Sequence, residues 1–422
     1  MHLVLLSGGS GKRLWPLSNN VRSKQFLKLF MGKNGERESI VQRVYSQIIE
    51  ALPQANVLIA TNTTQKEVLK GQLGENVQMV IEPARRDTYP AIVLACADLY
   101  YNKNASLNDS VAVLPVDPFT ELGYFHAIKY MDVILQEGHA DITLMGIKPL
   151  MPTSKYGYII PNEIIKEGVY TVSKFIEKPS ESVSAELIND GAYWNGGVFS
   201  FRLGYVLDIA HAQLSFNSFN ELYEQYNQLN KISFDYEVVE KTNRIVMVTY
   251  DGKWTDIGTW RTLADEIDTP MLGEAVVEDT TSTYIINEMN VPIVALGTNN
   301  LIIAASPDGI LVSDLIKSSH LKLIVDKFED EPMYEDALWG QSSVLDKTNH
   351  VKQIKLYAEK EMKCLVSDGC KITLIITKGD AMVVIGEKAQ NASVGDVVQV
   401  PANTAYKIKA KKDTIIIQVI TI

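Results

Sequence analysis

Short apolar runs alternate with longer amphipathic stretches through the first 265 or so residues, and this alternation predicts parallel α/β units. Leu3 to Leu6, Val57 to Ala60, Met79 to Ile81, Val111 to Leu114 and Ile142 to Gly146 are apolar runs of strand length, as strands covered on both faces require. Ser39 to Leu52, Tyr89 to Asn102 and Tyr124 to Glu137 instead place apolar residues three and four apart, the period of a helix packed on one side. The expectation is an α/β fold built on a Rossmann-like, mostly parallel sheet, with ligands gathered at the carboxyl ends of the strands.

The texture changes after Asp265. Ser282 to Ile286, Ile293 to Leu296, Leu301 to Ala305 and Ile310 to Val312 are short β-rich pieces, separated by Gly297, Asn299-Asn300 and Pro307-Asp308-Gly309. An acidic stretch, Glu329-Asp330-Glu331-Pro332, reads as a linker to a last β segment with strands at Ile372 to Ile376, Ala381 to Ile385, Val397 to Val400 and Thr414 to Ile420. Three regions are therefore expected: residues 1–265, a β-rich and β-helix-like connection at 266–332, and a small all-β domain at 333–422.

Length agrees, because 422 residues at roughly 150 per domain make two or three compact units. With 46% hydrophobic and 22% charged residues the chain has the profile of a globular protein. Its 40 basic and 51 acidic residues leave a formal charge of −11, which argues against a nucleic-acid or anionic-membrane surface but leaves room for a local cationic pocket. Cys96, Cys364 and Cys370 match neither a zinc knuckle nor a redox pair, and the six histidines show no ligand spacing. The apolar run at Met1 to Leu6 is far shorter than a signal-peptide core, and nothing approaches the ~18 residues of a spanning helix. A cytoplasmic protein is expected.

The densest chemistry follows the first strand, in Ser7-Gly8-Gly9-Ser10-Gly11-Lys12-Arg13-Leu14-Trp15-Pro16-Leu17, with Lys24-Gln25-Phe26-Leu27 further on. Gly8, Gly9 and Gly11 would let backbone N–H groups face a phosphate unobstructed, while Arg13 and Lys24 add positive charge. The string is not a Walker loop, which needs glycine at Leu6, nor a dinucleotide fingerprint, which needs glycine at Leu14. Asp117 ends the apolar run at Val111 to Leu114 and Asp256 follows the run at Ile245 to Val248, so both carboxylates fit one edge of a sheet and the oxygen preference of Mg²⁺.

This string resembles the signature of the nucleotidyltransferases that activate sugar 1-phosphates, and its wording is most similar to the mannose-1-phosphate guanylyltransferase family. Further resemblances follow in order: Glu82-Pro83-Ala84-Arg85-Arg86-Asp87-Thr88, Leu114-Pro115-Val116-Asp117, Tyr156-Gly157-Tyr158-Ile159, Phe175-Ile176-Glu177-Lys178-Pro179, Trp194-Asn195-Gly196-Gly197, Ser233-Phe234-Asp235-Tyr236 and Trp254-Thr255-Asp256. The resemblance implies a GTP-dependent enzyme that joins a nucleoside triphosphate to a sugar 1-phosphate, giving GDP-mannose and pyrophosphate. It assigns Arg13, Lys24, Asp117 and Asp256 to catalysis, with Mg²⁺ on the two aspartates. Gly8, Gly9, Gly11, Arg13, Lys24, Glu82 and Asp87 would bind nucleotide, and Gly157, Glu177, Lys178 and Asn195 the sugar phosphate.

Departures from the family pattern sit at the nucleotide segment, where Asp87 replaces asparagine, Tyr89 alanine and Pro118 histidine. An aspartate can still accept from guanine N1–H and N2–H₂, so the change is compatible with GTP while leaving a different base or sugar open. The last region resembles the cupin-like isomerase domain of long family members, yet no histidine follows His350 and Tyr406 stands near an expected metal-ligand position. A structural or dimer-forming β domain without a metal is expected there. The rival from another class is a non-catalytic nucleotide-sugar-binding subunit, which the joint presence of Arg13, Lys24, Asp117, Lys178 and Asp256 argues against.

Overall fold

The computed structural model describes residues 1–9, 12–328 and 331–421, so Gly11 of the glycine string and the Glu329-Asp330 start of the expected linker lie outside the described residues. The chain divides into two compact units. The first comprises residues 1–9, 38–66 and 76–257, and the second residues 10–37, 67–75 and 258–422.

A nine-stranded sheet organises the first unit. Its strands are β1 (His2–Ser7), β2 (Asn56–Asn62), β3 (Met79–Glu82), β4 (Ser110–Pro115), β5 (Ile142–Ile147), β6 (Tyr158–Lys166), β7 (Val169–Ile176), β8 (Tyr193–Arg202) and β9 (Ile245–Tyr250). They lie in the order β3-β2-β1-β4-β8-β5-β9-β7-β6. The first four pair in parallel, as do β5 and β9, while β8 runs antiparallel between β4 and β5. The sheet is thus mixed, with a parallel half whose strands all end at one edge.

The apolar runs form strands because both faces of the parallel half are covered: Leu3, Val4, Leu5, Val111, Ala112, Val113 and Leu114 are each 0% exposed. The helix Thr88–Ala97 is buried on every side, its residues packing with β1, β2, β4 and β5 into one apolar core. Asp87 caps that helix from a left-handed conformation, φ 71°, its carboxylate accepting from Thr88 N–H at 2.7 Å.

In the second unit, Met271–Leu272, Tyr284–Asn287 and Leu301–Ser306 stack in parallel, and Ala275–Glu278 pairs in parallel with Ile293–Leu296. Ile285, Ala295 and Ile303 fill the space between these two sheets, as the rungs of a short β-solenoid do. Beyond it, a six-stranded and a four-stranded antiparallel sheet enclose a separate core that includes Leu356, Leu374, Val383, Ile408 and Ile416, each 0% exposed. Tyr406, 3% exposed, belongs to that core and lies in ladder register with Cys364. No helix among the described residues is long and apolar enough to cross a membrane.

Residues 16–22 are fastened to the solenoid within this second unit. Ser306 Oγ donates to the Pro16 carbonyl at 2.7 Å, Asn19 Nδ2 donates to Asp308 at 2.9 Å, and Arg22 makes a two-pronged pair with Glu288 at 2.7 and 2.8 Å. The Trp15 ring meets Phe328 edge to face at 5.6 Å.

Candidate active site

The parallel half of the sheet delivers three expected residues to one edge. Gly8 follows β1, Glu82 ends β3, and Asp117 follows β4. A Cβ on Gly8 would lie 3.7 Å from Glu82 Oε1, which puts the glycine turn and this carboxylate side by side. Tyr226 donates its hydroxyl to the other oxygen, Glu82 Oε2, at 2.8 Å. Burial pushes Glu82 above the usual carboxylate range, opposed by the Tyr226 hydrogen bond and the charge of Arg85. The same pairing and burial drive the Tyr226 phenol far above its ordinary value, so Tyr226 stays a donor. Gly9 follows in the same turn, its carbonyl accepting from Gln65 Nε2 at 3.4 Å.

A local ladder sets the backbone of Asp256 close to that of Asp117. The strands Pro118–Thr120 and Trp254–Asp256 form a small antiparallel ladder in which Asp256 is the direct partner of Pro118, next in sequence to Asp117. Phe119 in this ladder is covered by the guanidinium of Arg43 at 4.9 Å and the ammonium of Lys253 at 4.9 Å. Two neighbouring carboxylates form an all-oxygen donor set suited to a hard divalent ion that takes its remaining ligands from phosphate oxygens. Among the described residues no cluster of three or more His, Cys, Asp or Glu side chains is arranged to hold a metal ion.

The expected sugar-phosphate residues converge on a second place in the same unit. Asn195 N–H donates to the Gly157 carbonyl at 2.8 Å, and a Cβ on Gly157 would run into Glu177 Oε2 and lie 3.0 Å from the Phe175 ring. Glu177, its side chain 7% exposed, pairs through Oε1 with Lys178 Nζ at 2.8 Å. Its Oε2 is buried and accepts no hydrogen bond among the described residues. Lys178 leaves β7 with φ 46°, a strained backbone for a residue with a side chain. Burial lowers the Lys178 ammonium, but its hydrogen bond and Coulomb attraction to Glu177 outweigh that, and the net shift is upward, so the side chain stays charged.

One member of this cluster escapes the sequence-based selection. Asp235 accepts from Asn195 Nδ2 at 2.7 Å, and Asn195 Oδ1 accepts from Gly197 N–H at 3.1 Å. Burial, then the charge of Glu177, pushes Asp235 up to about 7, against hydrogen bonds and the charge of Lys178. The only local hint is its place in Ser233-Phe234-Asp235-Tyr236, where Ser233 caps a four-residue helix. Behind the cluster, the Tyr156 ring lies 5.0 Å from Trp194 and 5.3 Å from Trp254, two residues before Asp256. Trp194 Nε1 donates to Tyr158 Oη at 3.0 Å.

The fold itself occupies several groups of the nucleotide segment. Asp87 spends one carboxylate oxygen on the helix cap, and Arg86 spends Nη2 on the Leu229 carbonyl at 2.9 Å. Tyr89 is 0% exposed in the apolar core, so its bulk replaces core volume and does not narrow a ligand site. Arg13 and Lys24 lie in separate single turns of 3₁₀ helix, Lys12–Leu14 and Lys24–Phe26, both in the second unit.

Carboxylates at the ends of the parallel strands β3 and β4, and a second place on the same sheet that gathers lysine, glutamate and asparagine, fit a protein that handles phosphorylated substrates, and the comparisons give its class as nucleotidyltransferase. The family model described as Nucleotidyl transferase matches residues 2–269. A mannose-1-phosphate guanylyltransferase of Klebsiella pneumoniae is 30% identical over 355 residues, 76% of this chain and 73% of that protein. Mannose-1-phosphate guanylyltransferase 2 of Escherichia coli O157:H7 is 27% identical over 456 residues, covering 96% and 91%. The crystal structure of a mannose-1-phosphate geranyltransferase from Thermus thermophilus superposes with a TM-score of 0.64 at 27% identity, covering 78% of this chain and 99% of the other. The chain belongs to the mannose-1-phosphate guanylyltransferase family of nucleotidyltransferases.

Proposed function

We propose that the protein transfers guanylyl from GTP to α-D-mannose 1-phosphate, releasing pyrophosphate and forming GDP-mannose. The observation that carries this reading is the convergence of Gly157, Glu177, Lys178 and Asn195, residues of three separate sequence segments brought into one cluster that offers a cation to a phosphate and an acceptor to a hydroxyl. Base choice is supported by Glu82: with Oε2 taken by Tyr226, Oε1 beside Gly8 is an acceptor for the N1–H and N2–H₂ edge of guanine. Adenine and the pyrimidines do not present that donor pair.

In the reaction a nonbonding phosphate oxygen of mannose 1-phosphate attacks the α-phosphorus of GTP. One P–O bond forms there, the bond to the β-phosphate oxygen breaks, and its electrons leave with pyrophosphate. No covalent enzyme intermediate is needed, so the work is alignment of two anions and neutralisation of charge on the phosphoryl oxygens. Lys178 holds the attacking phosphate, Glu177 and Asn195 orient the sugar, and Gly8 and Gly9 give backbone N–H groups access to the triphosphate. On the family resemblance, Gly11, Arg13 and Lys24 would bind the triphosphate, and Asp87 would contribute its remaining oxygen to the nucleotide. Asp117 and Asp256 would hold Mg²⁺, which supplies charge neutralisation at phosphate oxygens.

The three sequence regions, 1–265, 266–332 and 333–422, would act as transfer module, connection and structural β domain, with a homodimer and a cytoplasmic setting completing the reading. The test is pyrophosphate release with four nucleoside triphosphates against a panel of sugar 1-phosphates. Turnover confined to GTP with mannose 1-phosphate supports it, and preference for another pair refutes the assigned specificity. No turnover with tight nucleotide-sugar binding refutes the enzyme.

A further inference from the structure

The sugar cluster contains a carboxylate that the proposed reaction does not use. Asp235 touches Asn195 at 2.7 Å and sits within the field of Glu177 and Lys178, and the proposed reaction gives it neither phosphate nor metal to hold. Its effect on the site follows from counting the hydrogen-bonding capacity of Asn195. That side chain has two N–H donors and one carbonyl oxygen. The oxygen accepts from Gly197 N–H, and one donor is committed to Asp235.

An ionised aspartate is acceptor-only, so it fixes the amide with nitrogen toward Asp235 and oxygen toward the Gly197 turn. One Nδ2 hydrogen remains. Glu177, across the cluster, offers the unpartnered acceptor Oε2. Asn195 Cβ and Glu177 Oε2 both lie against Gly157, so this donor and this acceptor belong to one small cluster and suit a single sugar hydroxyl that accepts from Asn195 and donates to Glu177.

We propose that Asp235 is a positioning and specificity-determining residue, which locks the Asn195 amide so that Asn195 and Glu177 together read one hydroxyl of the sugar 1-phosphate. The inference rests on the reading of this cluster as the sugar site. It goes further by assigning a function to a residue outside the set that touches substrate.

Charge gives the inference a second readout. The groups facing Asp235 are Glu177 and Lys178 after β7, and Asn195 on β8; its chain neighbour Tyr236 adds a further charge interaction at Lys178. With Asp235 ionised, the two carboxylates outnumber the single ammonium, and a phosphate brought to Lys178 meets extra negative charge. With Asp235 protonated, Glu177 and Lys178 balance, and the remaining carbonyl oxygen of Asp235 still accepts from Asn195. The sign follows: a group pushed up to about 7 is neutral below that pH and charged above it. KM for the sugar 1-phosphate therefore rises as pH passes from 6 to 8 in the wild type, by about three- to tenfold for one added partly screened charge.

The experiment compares wild type, Asp235→Ala and Asp235→Asn in full-length protein, measuring KM for mannose 1-phosphate and for GTP separately between pH 6 and 8. Asp235→Ala removes the acceptor and is expected to raise KM for mannose 1-phosphate by about tenfold, the loss of roughly one charge-assisted hydrogen bond, with KM for GTP unchanged. Asp235→Asn keeps an acceptor oxygen and removes the charge, so KM at pH 6.5 stays near wild type and the rise towards pH 8 is lost. The phosphate monoester itself titrates near pH 6, and the same substrate with both proteins cancels that contribution.

An unchanged KM for mannose 1-phosphate in Asp235→Ala, or equal rises for both substrates, overturns the positioning role. A wild-type pH profile in Asp235→Asn overturns the charge argument and stands even if the alanine variant does not fold. Absence of wild-type turnover counts against the proposed function instead. Calorimetric binding of mannose 1-phosphate to the same three proteins then decides the Asp235 inference, with the same ordering expected and equal affinities overturning it.

Discussion

Replacing Gly157 by alanine is the sharpest small perturbation of the sugar cluster. The added methyl would fall on Glu177 Oε2 and lie 3.0 Å from Phe175 Cζ and 3.4 Å from Asn195 Cβ. Ordinary carbon contacts begin near ~3.5 Å, so the carboxylate has to move by on the order of 1 Å. It cannot simply rotate away, because Oε1 is tied to Lys178 at 2.8 Å and the side chain is buried. Displacing it moves the proposed hydroxyl acceptor and, with it, the ammonium proposed to grip the phosphate. A misplacement of this size commonly costs about 100-fold in a positioned reaction. The expected result is a fall of that order in kcat/KM for mannose 1-phosphate, with KM for GTP nearly unchanged. Steady-state pyrophosphate release with each substrate varied in turn gives the answer. Wild-type kcat/KM for the sugar phosphate would refute the argument that the cluster depends on a bare glycine.

Other outcomes follow from the same geometry. Tyr226→Phe leaves Glu82 Oε2 buried without its donor, and is expected to raise KM for GTP about tenfold and to weaken discrimination against ATP, read from a four-nucleotide turnover panel. Asp117→Asn and Asp256→Asn are each expected to lower kcat by about 100-fold or more while the protein still folds, checked by turnover alongside circular dichroism. Glu288→Gln strips the buried Arg22 of its charge partner and is expected to cost about 3 kcal/mol of stability, seen as a lower denaturant midpoint.

Much of the first unit was legible because its signals are local. The apolar runs at Leu3 to Leu6 and Val111 to Leu114 form strands where continuous burial on both faces requires them, and the glycine, Glu-Lys and Trp-Asn-Gly-Gly strings lie where strands end or bend. What escaped was set by tertiary pairing. Asp235 meets Asn195 across 40 residues and Tyr226 meets Glu82 across 144, and no periodicity or spacing encodes either bond. The burial of Tyr89 was hidden for a related reason. Asp87, at the mouth of its helix, takes a left-handed conformation and caps it, and two residues later the side chain already points into the core, so a departure from the family pattern beside the nucleotide segment is a packing change. Antiparallel β8 between β4 and β5 was likewise invisible to patterns that report burial but not strand direction.

The fastening of residues 16–22 to Ser306, Asp308 and Glu288 bears on how this protein can be dissected. A gene fragment ending at residue 265 would retain every signature string in the linear sequence and lose all three anchors of the segment that follows Arg13. Reading frames are cut in one dimension, whereas this segment is moored some 290 residues downstream. Exchange of the β-rich half between relatives is therefore constrained by the mooring points: a donor lacking the Glu288 and Asp308 counterparts would deliver a chain with its motifs intact and the stretch between Arg13 and Lys24 adrift.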